Sequence, residues 1–196
     1  MKRFIIALFL FGGAAVQLTS CKRDQDIPAP VADTIPIVFP QLSADPNKQF
    51  YKFIDAQASV ASNPTRPVFE FVLSPSSSGN TQLASVLVYK TFRRSGAYGA
   101  RVLVGEYSNF PATVSLNSQD ALNGLTRAGG FLVAALAANP TQRNLILRND
   151  AVLFTFDYRL TDGRIITSTP VDATGTISNT TLINPPYAIA ATFKDS

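Results

Sequence analysis

Histidine and tryptophan are absent from these 196 residues, cysteine occurs once, and only 15% of the chain is charged. Without histidine there is no Ser-His-Asp triad, no Cys-His dyad, no HExxH zinc motif and no imidazole proton shuttle. A single cysteine excludes an internal disulfide and any site built from several thiolates. Glutamate appears only as Glu70 and Glu106. Each stands mid-strand among apolar neighbours, where a solvent-facing strand residue accounts for it, and Asp157 in a strand and Asp162 in a turn have equally plain explanations. Loops of the DxDxDG type are missing, which leaves dedicated Ca²⁺ binding unsupported. Gly96-Ala97-Tyr98-Gly99 sits in a hairpin rather than ahead of a helix, so it is no phosphate loop. The expectation is a protein that is not an enzyme, with no cofactor and no metal.

What is present begins with an address. Residues 1–20 combine a basic start (Lys2, Arg3), an apolar stretch from Phe4 to Val16, and small or polar residues leading to Cys21. That is the plan of a secretory signal peptide, and its apolar run is shorter than the ~20 residues that span a bilayer. Leu18-Thr19-Ser20-Cys21 resembles the bacterial lipobox, in which the cysteine is diacylated on sulfur, palmitate being typical, and becomes the new N-terminus. Cys21 is therefore the candidate lipidation site, with a spare thiol beside an ordinary cleavage site as the alternative. Several acyl chains, at ~0.8 kcal/mol per buried CH₂, hold a protein to a membrane where one would not.

Cleavage before Cys21 removes Lys2 and Arg3, so 17 basic residues become 15 against 13 acidic ones. A nucleic-acid surface needs clustered Lys/Arg and a strong positive field. The one cluster, Lys90, Arg93, Arg94 and Arg101, surrounds a single hairpin and reads as a solvated tip, so no nucleic-acid partner is expected. Behind Cys21, Lys22-Arg23-Asp24-Gln25-Asp26 resembles the surface-export signal of Bacteroidota lipoproteins. The expected location is the outer membrane, lipid-anchored and facing outward, with a periplasm-facing anchor as the alternative.

Residues 21–47 form the lipidated N-terminus and a tether, because Pro28, Pro30, Pro36, Pro40 and Pro46 block helix and favour extended backbone. Ile35 to Phe39 is a candidate edge strand within it. Asp33-Thr34-Ile35 resembles the O-glycosylation sequon of Bacteroidota, which makes Thr34 a candidate glycan acceptor.

Residues 48–196 read as strands. Phe69, Phe71 and Leu73 share a face of the segment Val68 to Leu73, Leu83 to Arg93 is a long central strand, and Arg101 to Tyr107 returns after a turn at Ser95 to Gly99. Pro111 to Leu116 is a further short strand. Val152, Phe154, Phe156, Tyr158 and Leu160 alternate with Leu153, Thr155, Asp157 and Arg159, the cleanest period-2 pattern in the chain. Asp162-Gly163 predicts a two-residue type I′ hairpin to Ile165–Thr169, and Tyr187 to Phe193 closes the chain. Strands at these intervals with Pro/Gly/Ser turns indicate an all-β, antiparallel β-sandwich. Asn117 or Ser118 can cap a short helix over Gln119 to Leu125, and Gly129 to Ala138 suits a second helix ending at Asn139-Pro140. This region, about 117–140, is expected to be a small helical insertion capping one end of the sandwich.

In order and spacing, Phe69-Glu70-Phe71-Val72-Leu73, Val86-Leu87-Val88-Tyr89, Arg101-Val102-Leu103-Val104, Phe110 to Val114, Phe154 to Leu160 with Thr161-Asp162-Gly163-Arg164, and Pro185-Pro186-Tyr187 resemble Bacteroidota lipoproteins with an immunoglobulin-like domain. Some of these compare with SusE-like accessory proteins of SusC/SusD nutrient-uptake systems. The resemblance implies an immunoglobulin-like sandwich and an accessory role in glycan or peptide uptake, and it brings no catalytic residues. From the residues themselves, sugar sites on β-sandwiches pair exposed aromatic faces with polar donors. Tyr98 with Arg93, Arg94 and Arg101 is thus the candidate contact for a glycan or protein partner. The other reading is a structural envelope module that docks proteins and takes no small ligand.

Overall fold

Alternation builds the two inner faces. Phe69, Phe71 and Leu73 in one strand, and Val152, Phe154, Phe156 and Tyr158 in another, are all 3% exposed or less, as strands with one face in the core require. The computed structural model describes residues 38–57, 65–75, 83–133, 145–178 and 187–195. Cys21 and Thr34 lie outside the described residues.

The elements run β1 (Val38–Leu42), a 3₁₀ turn (Pro46–Lys48), β2 (Tyr51–Lys52), α1 (Phe53–Gln57), β3 (Val68–Pro75), β4 (Leu83–Arg94), β5 (Ala97–Tyr98) and β6 (Val102–Tyr107). They continue through β7 (Ala112–Asn117), α2 (Ser118–Leu122), β8 (Thr126–Arg127), β9 (Phe131–Leu132), β10 (Ala151–Leu160), β11 (Ile165–Thr167) and β12 (Ala188–Lys194). A three-stranded sheet, β1-β3-β7, faces a seven-stranded one, β2-β12-β10-β4-β5, with β11 added to β10 and β6 to β4. All pairings are antiparallel except β12 with β2. The described chain is an all-β sandwich of two sheets.

Aromatic rings join the layers. Phe69 of β3 stacks on Phe154 of β10 at 5.5 Å and 6°, and Phe71 meets Phe154 and Phe156 at 5.2 and 6.0 Å. Tyr51 stacks on Phe193 at 5.1 Å, and its hydroxyl donates to the Leu116 carbonyl at 3.1 Å. Burial pushes that phenol well above its ordinary range.

Four readings of the sequence change. The strand β1 begins at Val38 and pairs with β3 from Val38↔Pro75 to Leu42↔Phe71, so the folded unit includes the C-terminal part of the span read as tether. Asn117 is the cap of α2, accepting from the Gln119 and Asp120 amides at 3.0 and 2.9 Å, but the helix stops at Leu122. No helix begins at Gly129. Gly129 and Gly130 both hold positive φ, 89° and 79°, and turn the chain from β8 into β9. Left-handed backbone, which glycine allows, ends helical propagation there; residues 134–144 lie outside the described set. The Asp162-Gly163 turn is also longer than expected. Only Gly163 takes positive φ, Leu160 and Arg164 close the loop, and Asp162 accepts from the Arg164 amide at 3.0 Å. That is the three-residue hairpin solution with glycine in the left-handed region.

The strand β10 carries a further difference. Its second face is buried too, Thr155 completely and Asp157 to 6% exposure, so Asp157 is no solvent-facing strand residue. A second, smaller cluster of Leu153, Ile177 and Ala188, with Tyr98 and Ala190 against it, lies on that face.

Candidate functional site

The outer face of the large sheet is covered by a strap, residues 170–178. It folds on itself through Asp172, whose carboxylate accepts from the Thr174 amide (2.8 Å), the Thr174 hydroxyl (2.6 Å) and the Thr176 amide (3.0 Å). These bonds, the Thr174 hydroxyl first, hold the Asp172 carboxyl below its usual range. Gly175, at φ 76°, turns the strap back. Its attachment to the sandwich is an antiparallel bridge, Ala100↔Thr176, with the Arg101 amide donating to the Gly175 carbonyl at 3.0 Å. Ile177 is 6% exposed in the second cluster.

Three loop regions meet beside this strap. Tyr98 stands opposite Arg93 where β4 turns into β5. The next residue, Gly99, lies so close to β8 that a Cβ on it would fall 1.5 Å from the Thr126 carbonyl oxygen. The hairpin β8-β9 brings its glycine turn to the same place. The result is an open groove of about 360 Å³, with Tyr98, Ala100, Thr126, Gly129, Thr174 and Thr176 in its walls and Arg127 as its charged member. Small residues leave backbone amides and carbonyls uncovered, and three threonines add hydroxyls.

The structure separates the three arginines grouped with Tyr98. Arg93 remains half-buried at the tip. Arg94 forms a two-bonded fork with Asp150, Nε to Oδ1 at 2.9 Å and Nη2 to Oδ2 at 2.7 Å, and also donates to the Leu145 carbonyl. Asp150 is 3% exposed and accepts the Leu147 amide at 2.6 Å, so this arginine organises the turn before β10. Arg101 turns inward. Its Nη2 donates to Asp157 Oδ1 at 2.9 Å, and its guanidinium lies 4.0 Å from the centre of the Tyr89 ring. Burial raises the Asp157 carboxyl above its usual range despite the opposing bond and charge of Arg101. Tyr98 alone of the four is in the groove wall.

The carboxylates that remained for acid–base chemistry have local partners. Glu70 accepts from Lys48 Nζ and Ser43 Oγ, both at 3.0 Å, and Glu106 from Ser85 and, at 2.9 Å, Arg159. These bonds lower both pKa values, led by Lys48 for Glu70 and by Ser85 for Glu106. Among the described residues, no group of three or more His, Cys, Asp or Glu is placed to hold a metal, and no helix is long and apolar enough to cross a membrane.

Sequence reasoning missed Thr126, Thr174 and Thr176. The available signal was Asp172-Ala173-Thr174-Gly175-Thr176, a turn-forming run with hydroxyls on both sides of a glycine. A second groove, about 480 Å³, lies elsewhere on the sandwich between Leu42, Pro46, Phe50, Ala190 and Thr192, with Lys194 Nζ 4.6 Å from the Phe50 ring centre. The chain matches no protein-family model, no curated protein and no solved structure.

Proposed function

We propose that this chain is a non-catalytic binding module, anchored to the outer membrane through lipid on Cys21 and displayed outward, whose Tyr98 groove takes a glycan for a nutrient-uptake complex. Support for the anchor is the leader and the single cysteine at its end. Support for the accessory role is the ordered series of strand motifs that resembles the immunoglobulin-like Bacteroidota lipoproteins. The observation that carries the binding site is the convergence of three loop regions on Tyr98, with Thr174, Thr176 and open backbone around it. An aromatic ring offers a stacking surface for sugar CH groups, while hydroxyls and backbone groups fix the orientation of sugar hydroxyls. The pairing of Glu70 with Lys48 and Ser43, and of Glu106 with Ser85 and Arg159, fits a module that binds without turnover.

The experiment is a glycan array probed with the full chain, its Tyr98→Ala variant and its Thr176→Val variant. Saturable binding to a glycan is expected, weakened tenfold or more (about 1.4 kcal/mol) by Tyr98→Ala and several-fold by Thr176→Val. Equal binding by all three chains overturns the site. In cells producing the full chain, Cys21→Ala is expected to move the protein from the membrane to the soluble fraction, and unchanged membrane recovery refutes the anchor. A second reading, a protein-docking envelope module, is favoured by the other groove, where Leu42 is 46% exposed beside Phe50.

A further inference from the structure

The strap does more than cover the sheet, because it is also a wall of the groove. Thr174 and Thr176 face the groove, while the backbone beside them is fastened to Ala100 and Arg101. Arg101 in turn is anchored below through its side chain, to Asp157 on β10 and across the Tyr89 ring on β4. A continuous mechanical connection therefore runs from Asp157 through Arg101 to Gly175 and Thr176, and so to the position of the groove wall.

Few contacts fasten the strap to the sandwich. Holding it down are the buried Arg101–Asp157 pair, with side chains 6% and 8% exposed, the burial of Ile177, and the bridge to Ala100. A polar layer lies on the same side of the sheet. Arg101 Nε and the hydroxyls of Thr91, Thr155 and Thr169 are buried without a hydrogen-bond partner in the structure. Thr91 and Thr155 share the outer face with Asp157, as the β4–β10 register shows, since Phe92, Phe154 and Phe156 point into the main core. A buried donor or acceptor without a partner costs free energy that water repays on exposure. A segment with one deep apolar anchor and one bridge to the sandwich, whose bridging neighbour Arg101 is itself held by an ion pair, belongs to the low-stability end of local opening.

We propose that residues 170–178 form a movable lid on the Tyr98 groove and that the Arg101–Asp157 pair is its latch, with both residues acting as positioning residues for the groove wall. Closed, the lid sets Thr174 and Thr176 against Tyr98. Open, it admits water to Arg101 Nε and the threonine hydroxyls and removes one wall of the groove. The functional meaning rests on the binding role proposed for the groove; the motion itself does not.

Native-state hydrogen exchange read by mass spectrometry on the full chain tests it. In the unaltered chain, the amides of Arg101, Asp172, Gly175 and Ser178 are expected to exchange together, faster than those of Phe154 and Phe156. Asp157→Asn keeps the size and an acceptor but removes the charge. It is expected to speed exchange of the strap amides by about tenfold or more while leaving β4 and β10 within about twofold. A disulfide between Ala100→Cys and Thr176→Cys, placed at the bridged pair, is expected to restore strap protection in the Asp157→Asn chain. Acceleration spread evenly over strap, β4 and β10 shows the pair to be ordinary core support and overturns the latch. So does an unchanged strap. If Asp157→Asn does not fold, Arg101→Lys, which retains the charge but loses the planar stack on Tyr89, carries the same comparison. A glycan array without a hit sinks the groove's function but leaves the exchange pattern intact, so the two failures are separable.

Discussion

Lys90 shows how a single side chain holds a loop to this sandwich. It points from β4 toward the main core, is 6% exposed, and donates from Nζ to the Asp120 and Asn123 carbonyls at 2.6 and 2.8 Å. Those are the carbonyls at the end of α2, where a helix leaves its last acceptors without partners. Burial lowers the ammonium's proton affinity, partly offset by the charge of Asp120. Lys90→Met fills similar space but leaves the carbonyls without their donor. Urea unfolding should show a loss of about 1–3 kcal/mol, and an unchanged midpoint would contradict this role. The sequence placed Lys90 in a solvated basic tip with Arg93, Arg94 and Arg101. Three of those four are instead committed to partners distant in the chain: Asp120 and Asn123 for Lys90, Asp150 for Arg94, Asp157 for Arg101. Each arginine and its aspartate lie 56 positions apart. Local pattern carries no information about such pairs, so charge clustering in sequence was misleading about charge clustering in space.

At the level of elements, strands with strict alternation were legible and short irregular pieces were not. The strands β3, β4 and β10 fall close to where their apolar periodicity placed them, because that periodicity is the core contact itself. No helix begins at Gly129 because two glycines there turn the backbone, which the helical composition of Phe131 to Ala138 does not reveal. The strap has neither period, and its position depends on the bridge to Ala100, the Arg101 amide and the burial of Ile177. Gly99 offers a direct test of how these pieces fit. A methyl group there collides with the Thr126 carbonyl, so Gly99→Ala must push β8 away from β5. The expected cost is about 1–3 kcal/mol of stability, typical of overpacking, measured by thermal unfolding, together with a several-fold loss of groove binding. A stable variant with intact binding would mean that the approach of β5 to β8 does not shape the groove.

For the molecule as a whole, the sandwich supplies a rigid frame, with stacked phenylalanines between the sheets. The proposed binding function falls to the loops that meet beside Tyr98. The frame could be read from the sequence because burial imposes a period on it. The groove could not, since it is assembled from residues 98–100, 126–130 and 174–176, brought together only by the finished fold. The two grooves also give the two functional readings separate addresses. The most direct measurement is therefore hydroxyl-radical footprinting of the full chain with and without the best ligand found on the glycan array. Protection is expected at Tyr98 and across residues 174–176, with Leu42 and Phe50 unchanged. Protection confined to Leu42, Phe50 and Lys194, or none at Tyr98, would contradict it.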